Sequence, residues 1–223
     1  EFYNYVFDLS NPPLLKFILY QDEIGRTVLA INIHHIITDG WSMGIIKSEF
    51  IKYYSLISRN ENVKAIKQFD YVDYTYRQLE YITNKSLTSR EFWLDRFSSP
   101  IEVKEMPKDF IKSDNNSLGD VLISYLENDQ KTKLLSLKKE LNTSSFIIMY
   151  SAFLILLSKI TETKKPACFI VNAGRDHYST HSIIGFFVNA VLFNTEIDEN
   201  LSFRLLIEKL QHQVFQVFEN QHF

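Results

Sequence analysis

The chain has 223 residues, 45% of them hydrophobic and 23% charged, with a formal net charge of −3. That balance fits one large globular domain or two small lobes and excludes disorder, because 18 Phe and 12 Tyr supply ample apolar surface to bury. The small negative charge gives no pull toward nucleic acid or an anionic membrane, and a single cysteine, Cys168, excludes an internal disulfide and any multi-cysteine metal site.

Residues 14–20 (LLKFILY) and 27–36 (TVLAINIHHI) read as strands joined through Asp22-Glu23-Ile24-Gly25, an antiparallel hairpin. Gly40 breaks the second strand, and a helix follows over 41–57 with Met43, Ile46, Phe50 and Tyr53 at helical spacing. After a polar loop at 58–68, helices are predicted over 71–81 and 88–97, the second with Thr88 as N-cap. Residues 100–119 read as loop or extended chain, including the mixed-charge stretch 104–112, and 120–126 as a strand. An amphipathic helix over 129–141, a cap at Asn142-Thr143-Ser144 and a largely buried helix over 145–160 come next. The apolar stretch inside that helix is too short to span a bilayer. Strands at 167–171 and 186–196 and a closing helix at 201–219 complete a helix-and-strand alternation, which points to layered α/β packing. The lone thiol fits a reducing cytoplasm.

The chemistry concentrates at the end of the second strand. If that strand continues to residue 36, Leu29, Ile31, Ile33 and His35 share one face, and His34 lies on the other. Two adjacent histidines then cannot both face one site: one lines a cavity while the other supports it, and the pair does not converge on a metal ion. A lone histidine beside a turn is most simply structural. The string His34-His35-Ile36-Ile37-Thr38-Asp39-Gly40 tips the balance, because an imidazole titrates near neutrality and can act as base or donor. Asp39 is either half of a structural ion pair or a turn aspartate bonding its own backbone. Gly40 permits a sharp exit or a close approach.

That string, with Trp41 and Ser42 after it, resembles the HHxxxDG motif of nonribosomal peptide synthetase condensation domains, in the chloramphenicol-acetyltransferase-like superfamily. Phe7-Asp8-Leu9-Ser10 with Pro13-Leu14-Leu15, Tyr71-Val72-Asp73-Tyr74, Phe92-Trp93, Ala173-Gly174-Arg175 and Ile184-Gly185-Phe186-Phe187-Val188-Asn189 resemble further strings of that family, in the same order. The resemblance implies a two-lobed α/β fold, with residues 1–66 closing the N-terminal lobe and 67–223 opening the C-terminal lobe. The family extends beyond both ends, so the chain is expected to be a piece of such a domain. Asn220-Gln221 stands where the family usually has His-Gln.

The resemblance also implies roles. His35 is the catalytic candidate, as base or as positioning group, and His34 supports it. Asp39 is structural, turned from the substrate and paired with an arginine, for which a place upstream of Glu1 is open. Gly40 belongs to the same active-site string. Ser42 and Asn189 are candidates for the substrate channel, and Arg175 is read as lobe-stabilising. His177, His181, His212 and His222 carry no chemistry, and Phe92, Trp93 and Phe97 are core. The implied reaction joins a donor acyl- or peptidyl-thioester to an acceptor aminoacyl-thioester. No cofactor binds directly. The phosphopantetheine arm comes from donor and acceptor carrier domains, with an adenylation domain adjacent. An epimerisation domain of the same superfamily and a non-catalytic recruitment module are the alternatives.

Overall fold

The computed structural model describes residues 2–63, 69–85, 87–101, 104–108 and 121–222. The hairpin consists of β1 (Leu15–Gln21) and β2 (Thr27–Ile33), paired antiparallel from Leu15 opposite Ile33 to Gln21 opposite Thr27. Its turn is tied by Asp22, whose carboxylate accepts the backbone N–H of Ile24 and of Arg26 and the Arg26 Nε–H. Asp22 thereby satisfies turn donors that the ladder leaves open.

The strand ends three residues earlier than its apolar pattern suggests. The reason lies in its partner: the His34 N–H still reaches Leu14 O at 3.0 Å, but Pro13 and Pro12 precede Leu14 and have no N–H to donate. The chain then tightens into a 3-10 turn, His35–Ile37, and enters helix α1 (Gly40–Ser58). The alternation argument placing His34 and His35 on opposite faces of a strand therefore does not apply to them.

Helix α2 (Tyr71–Lys85) opens on a reciprocal cap: Asp70 accepts the Asp73 N–H at 3.0 Å while Asp73 accepts the Asp70 N–H at 3.1 Å. Helix α3 spans Leu87–Arg96, so Thr88 lies within the first turn and is not the N-cap. Helices α4 (Asn128–Glu140) and α5 (Ser145–Ile160) follow, the latter capped by Ser144 Oγ, which accepts the Ile147 N–H at 3.1 Å. Strands β3 (Ala167–Asn172) and β4 (Asn189–Asn194) pair, and helix α6 (Phe203–Glu219) is capped by Ser202. β4 is shorter than the 186–196 strand expected, because residues 185–187 spend their backbone groups elsewhere. Residues 121–126 form no strand, since no partner ladder reaches them among the described residues; residue 120 lies outside those described. No single described helix is long and apolar enough to cross a membrane.

Packing divides the chain into two compact units, Glu1–Lys85 with Val171–Asn189, and Ser86–Ile170 with Ala190–Phe223. The lobe boundary expected at residues 66 and 67 lies outside the described residues. The second unit has an apolar core built from α5, β4 and α6, with Leu154, Phe193, Ile207, Leu210 and Val217 fully buried. Trp93 and Phe92 pack against it, and the Trp93 indole N–H caps α6 by donating to Asn220 O at 2.8 Å. The first unit is built otherwise. Ile183 and Phe187 are its buried hydrophobic side chains among the described residues, and around them lie Thr38, Asp39, Ser42, Arg175 and Thr180. Its centre is a polar network.

Candidate active site

Asp39 organises the first unit. It is the N-cap of α1: Oδ1 accepts the Ser42 N–H at 2.7 Å, satisfying one of the helix's free donors. Oδ2 accepts the Phe187 N–H at 3.1 Å. The Arg175 guanidinium lies beside both oxygens, with Nη2 at 3.2 and 3.4 Å, and the two side chains are 1% and 0% exposed. Burial alone would raise the Asp39 pKa. The hydrogen bonds from Ser42 and Phe187, with the Arg175 charge, outweigh burial and hold the carboxyl below its ordinary value. The arginine that the sequence left to be found upstream of Glu1 is thus Arg175, 136 residues downstream.

Arg175 is held at both terminal nitrogens, while its Nε–H is buried without a hydrogen-bond partner among the described residues. Nη1 donates to the carbonyls of Thr180 and Ile183, Nη2 donates to Ser42 Oγ at 2.8 Å as well as facing Asp39, and Cζ lies 3.9 Å from the Phe187 ring centroid. Ser42 Oγ in turn donates to Gly185 O at 2.9 Å and accepts the Gly185 N–H at 3.1 Å. Fully buried and with its hydroxyl committed, Ser42 has no polar group left to offer a substrate channel; its place is in the scaffold. Trp41 braces the network from outside, donating its indole N–H to His181 O at 3.0 Å, while His181 Nε2 donates to Arg175 O at 3.1 Å.

Two glycines make this packing possible. A Cβ on Gly185 would fall on the Tyr71 ring, and one on Gly174, whose φ is +64°, would fall on the Phe187 carbonyl. Gly40 differs: a Cβ there would meet nothing within 4 Å, so the sharp exit from the strand is made by the 3-10 turn and Gly40 is simply the first residue of α1.

The same scaffold carries the histidines. His34 is half-buried, and its Nδ1 accepts the Ile36 N–H at 3.0 Å, capping the 3-10 turn. His35 is exposed, with Nδ1 2.6 Å from Thr38 O. A carbonyl only accepts, so Nδ1 carries the proton in the neutral ring and Nε2 keeps its lone pair. The His35 ring meets that of Phe186 edge to face, 5.1 Å between centroids at 82°. Asn189 is half-buried and opens β4, two residues after Phe187. Thus His35, Asp39, Ser42 and Arg175 form one connected site, in which His35 is an accessible ring on a buried ionic frame.

Trp41, Tyr71 and Gly185 lie in the family-like strings, but nothing in the sequence shows that they and His181 frame Asp39 and Arg175. The spacing Asp39 to Ser42, a short acceptor and a small hydroxyl three residues apart at a helix start, was the available signal.

A family model described as Condensation domain matches residues 2–223. The chain is 30% identical over 217 residues to tyrocidine synthase 3 of Brevibacillus parabrevis, covering 96% of this chain and 3% of that protein. It is 29% identical over 216 residues to surfactin synthase subunit 1 of Bacillus subtilis (strain 168), covering 96% and 6%. Among solved structures it is similar to a four-domain nonribosomal peptide synthetase bound to AMP and glycine, with a TM-score of 0.81 at 24% identity over 97% of this chain and 16% of that one. It is similar as well to the epimerization domain of the third module of tyrocidine synthetase B, with a TM-score of 0.79 at 19% identity over 94% and 48%. These likenesses give the chloramphenicol-acetyltransferase-like fold, of which the chain spans roughly half, and only a few per cent of the large synthetases. By the family match and its synthetase relatives, the chain belongs to the condensation-domain family of nonribosomal peptide synthetases.

Proposed function

We propose that the chain is part of a domain that forms an amide bond between a donor acyl- or peptidyl-thioester and an acceptor aminoacyl-thioester, with His35 as its catalytic residue. The acceptor amine attacks the thioester carbonyl carbon, the C–S bond breaks, and the thiolate leaves with the proton that the amine gives up. The observation that supports the reading is the contact of His35 Nδ1 with Thr38 O at 2.6 Å: with Nδ1 committed to that carbonyl, Nε2 of the exposed ring is free to take that proton or to hold the amine in line. Asp39 and Arg175 take no part in the proton transfer; they set the backbone on which His35 sits. His34 supports the turn, and Asn189 orients substrate. Both substrates arrive on phosphopantetheine arms of partner carrier domains, as the multidomain relatives suggest, beside an adenylation domain and in the cytoplasm. The likeness to an epimerization domain favours one second reading, proton removal from and return to the α-carbon of a carrier-bound residue.

The test uses the full-length protein with loaded donor and acceptor carriers, following the joined carrier product by intact-protein mass spectrometry. Product is expected without added metal or nucleotide, and His35→Ala is expected to slow it roughly 10²–10⁴-fold. Undiminished turnover in the variant removes the catalytic assignment. Inverted, unjoined substrate points to epimerisation, and loaded carriers that are never joined point to a recruitment module.

A further inference from the structure

We infer that Phe186 is a positioning residue for the His35 imidazole, itself held in place by the Tyr71 hydroxyl; this deepens the proposed function and rests on it for its kinetic consequence. A histidine with one hydrogen bond keeps its anchored nitrogen in place, yet the rest of the ring can swing about that point. His35 has one such bond, through Nδ1, and its ring is exposed. The second restraint is Phe186, whose ring meets it edge to face at 5.1 Å. Together the two contacts define where Nε2 points.

Phe186 can restrain its neighbour because its own backbone is immobilised three times over. Before it, Gly185 has both its N–H and its carbonyl bound to Ser42 Oγ. After it, the Phe187 N–H is bound to Asp39 Oδ2. At Phe186 itself, the carbonyl accepts the Tyr71 hydroxyl at 2.6 Å. Tyr71 is fixed in turn against Phe187, 5.1 Å between centroids at 78°, and fills the space that a Cβ on Gly185 would need. A chain of contacts therefore runs from the first residue of α2 through the Phe186 backbone to its ring and on to His35. Phe186 is also 39% exposed, so this restraint lies at the surface that His35 presents rather than in a sealed core.

The experiment compares Phe186→Leu, Phe186→Tyr and Tyr71→Phe in the full-length protein by two readouts. The first is the rate at which His35 is carbethoxylated by diethyl pyrocarbonate across pH, read on its peptide by tandem mass spectrometry. Losing the ring that leans on one side of the imidazole is expected to speed His35 modification about twofold or more in Phe186→Leu, with Phe186→Tyr restored to the parent rate, on the scale of one aromatic contact. An unchanged rate in Phe186→Leu overturns the inference whatever the activity does. The second is single-turnover condensation with loaded carriers. Phe186→Leu is expected to lower the rate about 2- to 10-fold with no change in the carrier concentration for half-saturation, and Tyr71→Phe to act in the same direction but less. The Phe186→Leu loss must vanish in a His35→Ala background, since the ring acts only through that imidazole. An equal loss in both backgrounds overturns the inference. If His35→Ala alone leaves turnover intact, the proposed function fails, and the modification rates still decide whether Phe186 positions His35.

Discussion

Replacing Asp39 by alanine tests the frame beneath the site. The substitution removes the N-cap acceptor of α1, the acceptor for the Phe187 N–H and the carboxylate beside the buried Arg175 guanidinium. Stripping one partner from a buried ion pair costs about 3–5 kcal/mol, because the remaining charge stays desolvated. Loss of a helix cap accounts for about 1 kcal/mol on its own and is partly contained in that figure. The readout is hydrogen exchange in the full-length protein at peptides carrying the Ser42 and Phe187 amides, the two N–H groups that Asp39 holds. A local opening cheaper by 3–5 kcal/mol exchanges roughly 10²- to 4 × 10³-fold faster. Arg175→Met added to Asp39→Ala should cost less than the sum of the two, since the orphaned charge goes with it. His35→Ala should leave both amides protected, because its ring is exposed. The pH dependence has a definite sign. The folded Asp39 pKa is lowered, so its contribution is fully present above the ordinary carboxylate range and is lost as pH falls below about 4 toward the depressed value. The Ser42 and Phe187 amides of the parent should therefore lose protection on acidification through that window, and those of Asp39→Ala should not show this step. Protection unchanged in Asp39→Ala at neutral pH would refute the account of the buried pair.

Two further substitutions test the packing of each unit. Gly185→Ala drives a methyl into the Tyr71 ring, and it should both destabilise the first unit by about 1–3 kcal/mol and speed exchange at the Phe187 amide, as overpacking against a fixed ring requires. Leu154→Ala, at a fully buried position in the apolar core, should cost about 2–5 kcal/mol and show as faster exchange in α5 and α6 while leaving Ser42 and Phe187 protected.

The hairpin and α1 were legible because each carries a local signal: β1 is a short apolar run, Phe17 to Tyr20, that leads into a turn held by Asp22 and Gly25, and Met43, Ile46, Phe50 and Tyr53 recur at helical spacing in α1. The strand was over-extended to residue 36 because His34, His35 and Ile36 continue an apolar, β-prone run. What stops it is a property of the neighbouring strand, the two prolines before Leu14. Residues 186–188 were read as strand for the same reason, yet Asp39, Ser42 and Tyr71 take the backbone groups of 185–187 before a ladder can. His35 stood out through its motif. Its orientation did not, since that depends on Thr38 O and on a ring 151 positions away in sequence, and no local pattern encodes such a contact. Arg175 stands out as part of a string, with a stabilising part, but nothing local pairs it with Asp39, 136 residues before it.

The distance along the chain between Asp39 and Arg175 sets an order of events. At a synthesis rate of about 5–20 residues per second, the 136 residues between them take on the order of ten seconds to appear. Through that interval the aspartate has no countercharge. A carboxylate without a partner stays in water, so the start of α1 stays open and His35 lacks the surface against which its ring rests. The hairpin can form at once, because its strands are joined by a short turn. His35 is thus made early and put in place late, only after the segment around Arg175 and Phe187 closes over Asp39.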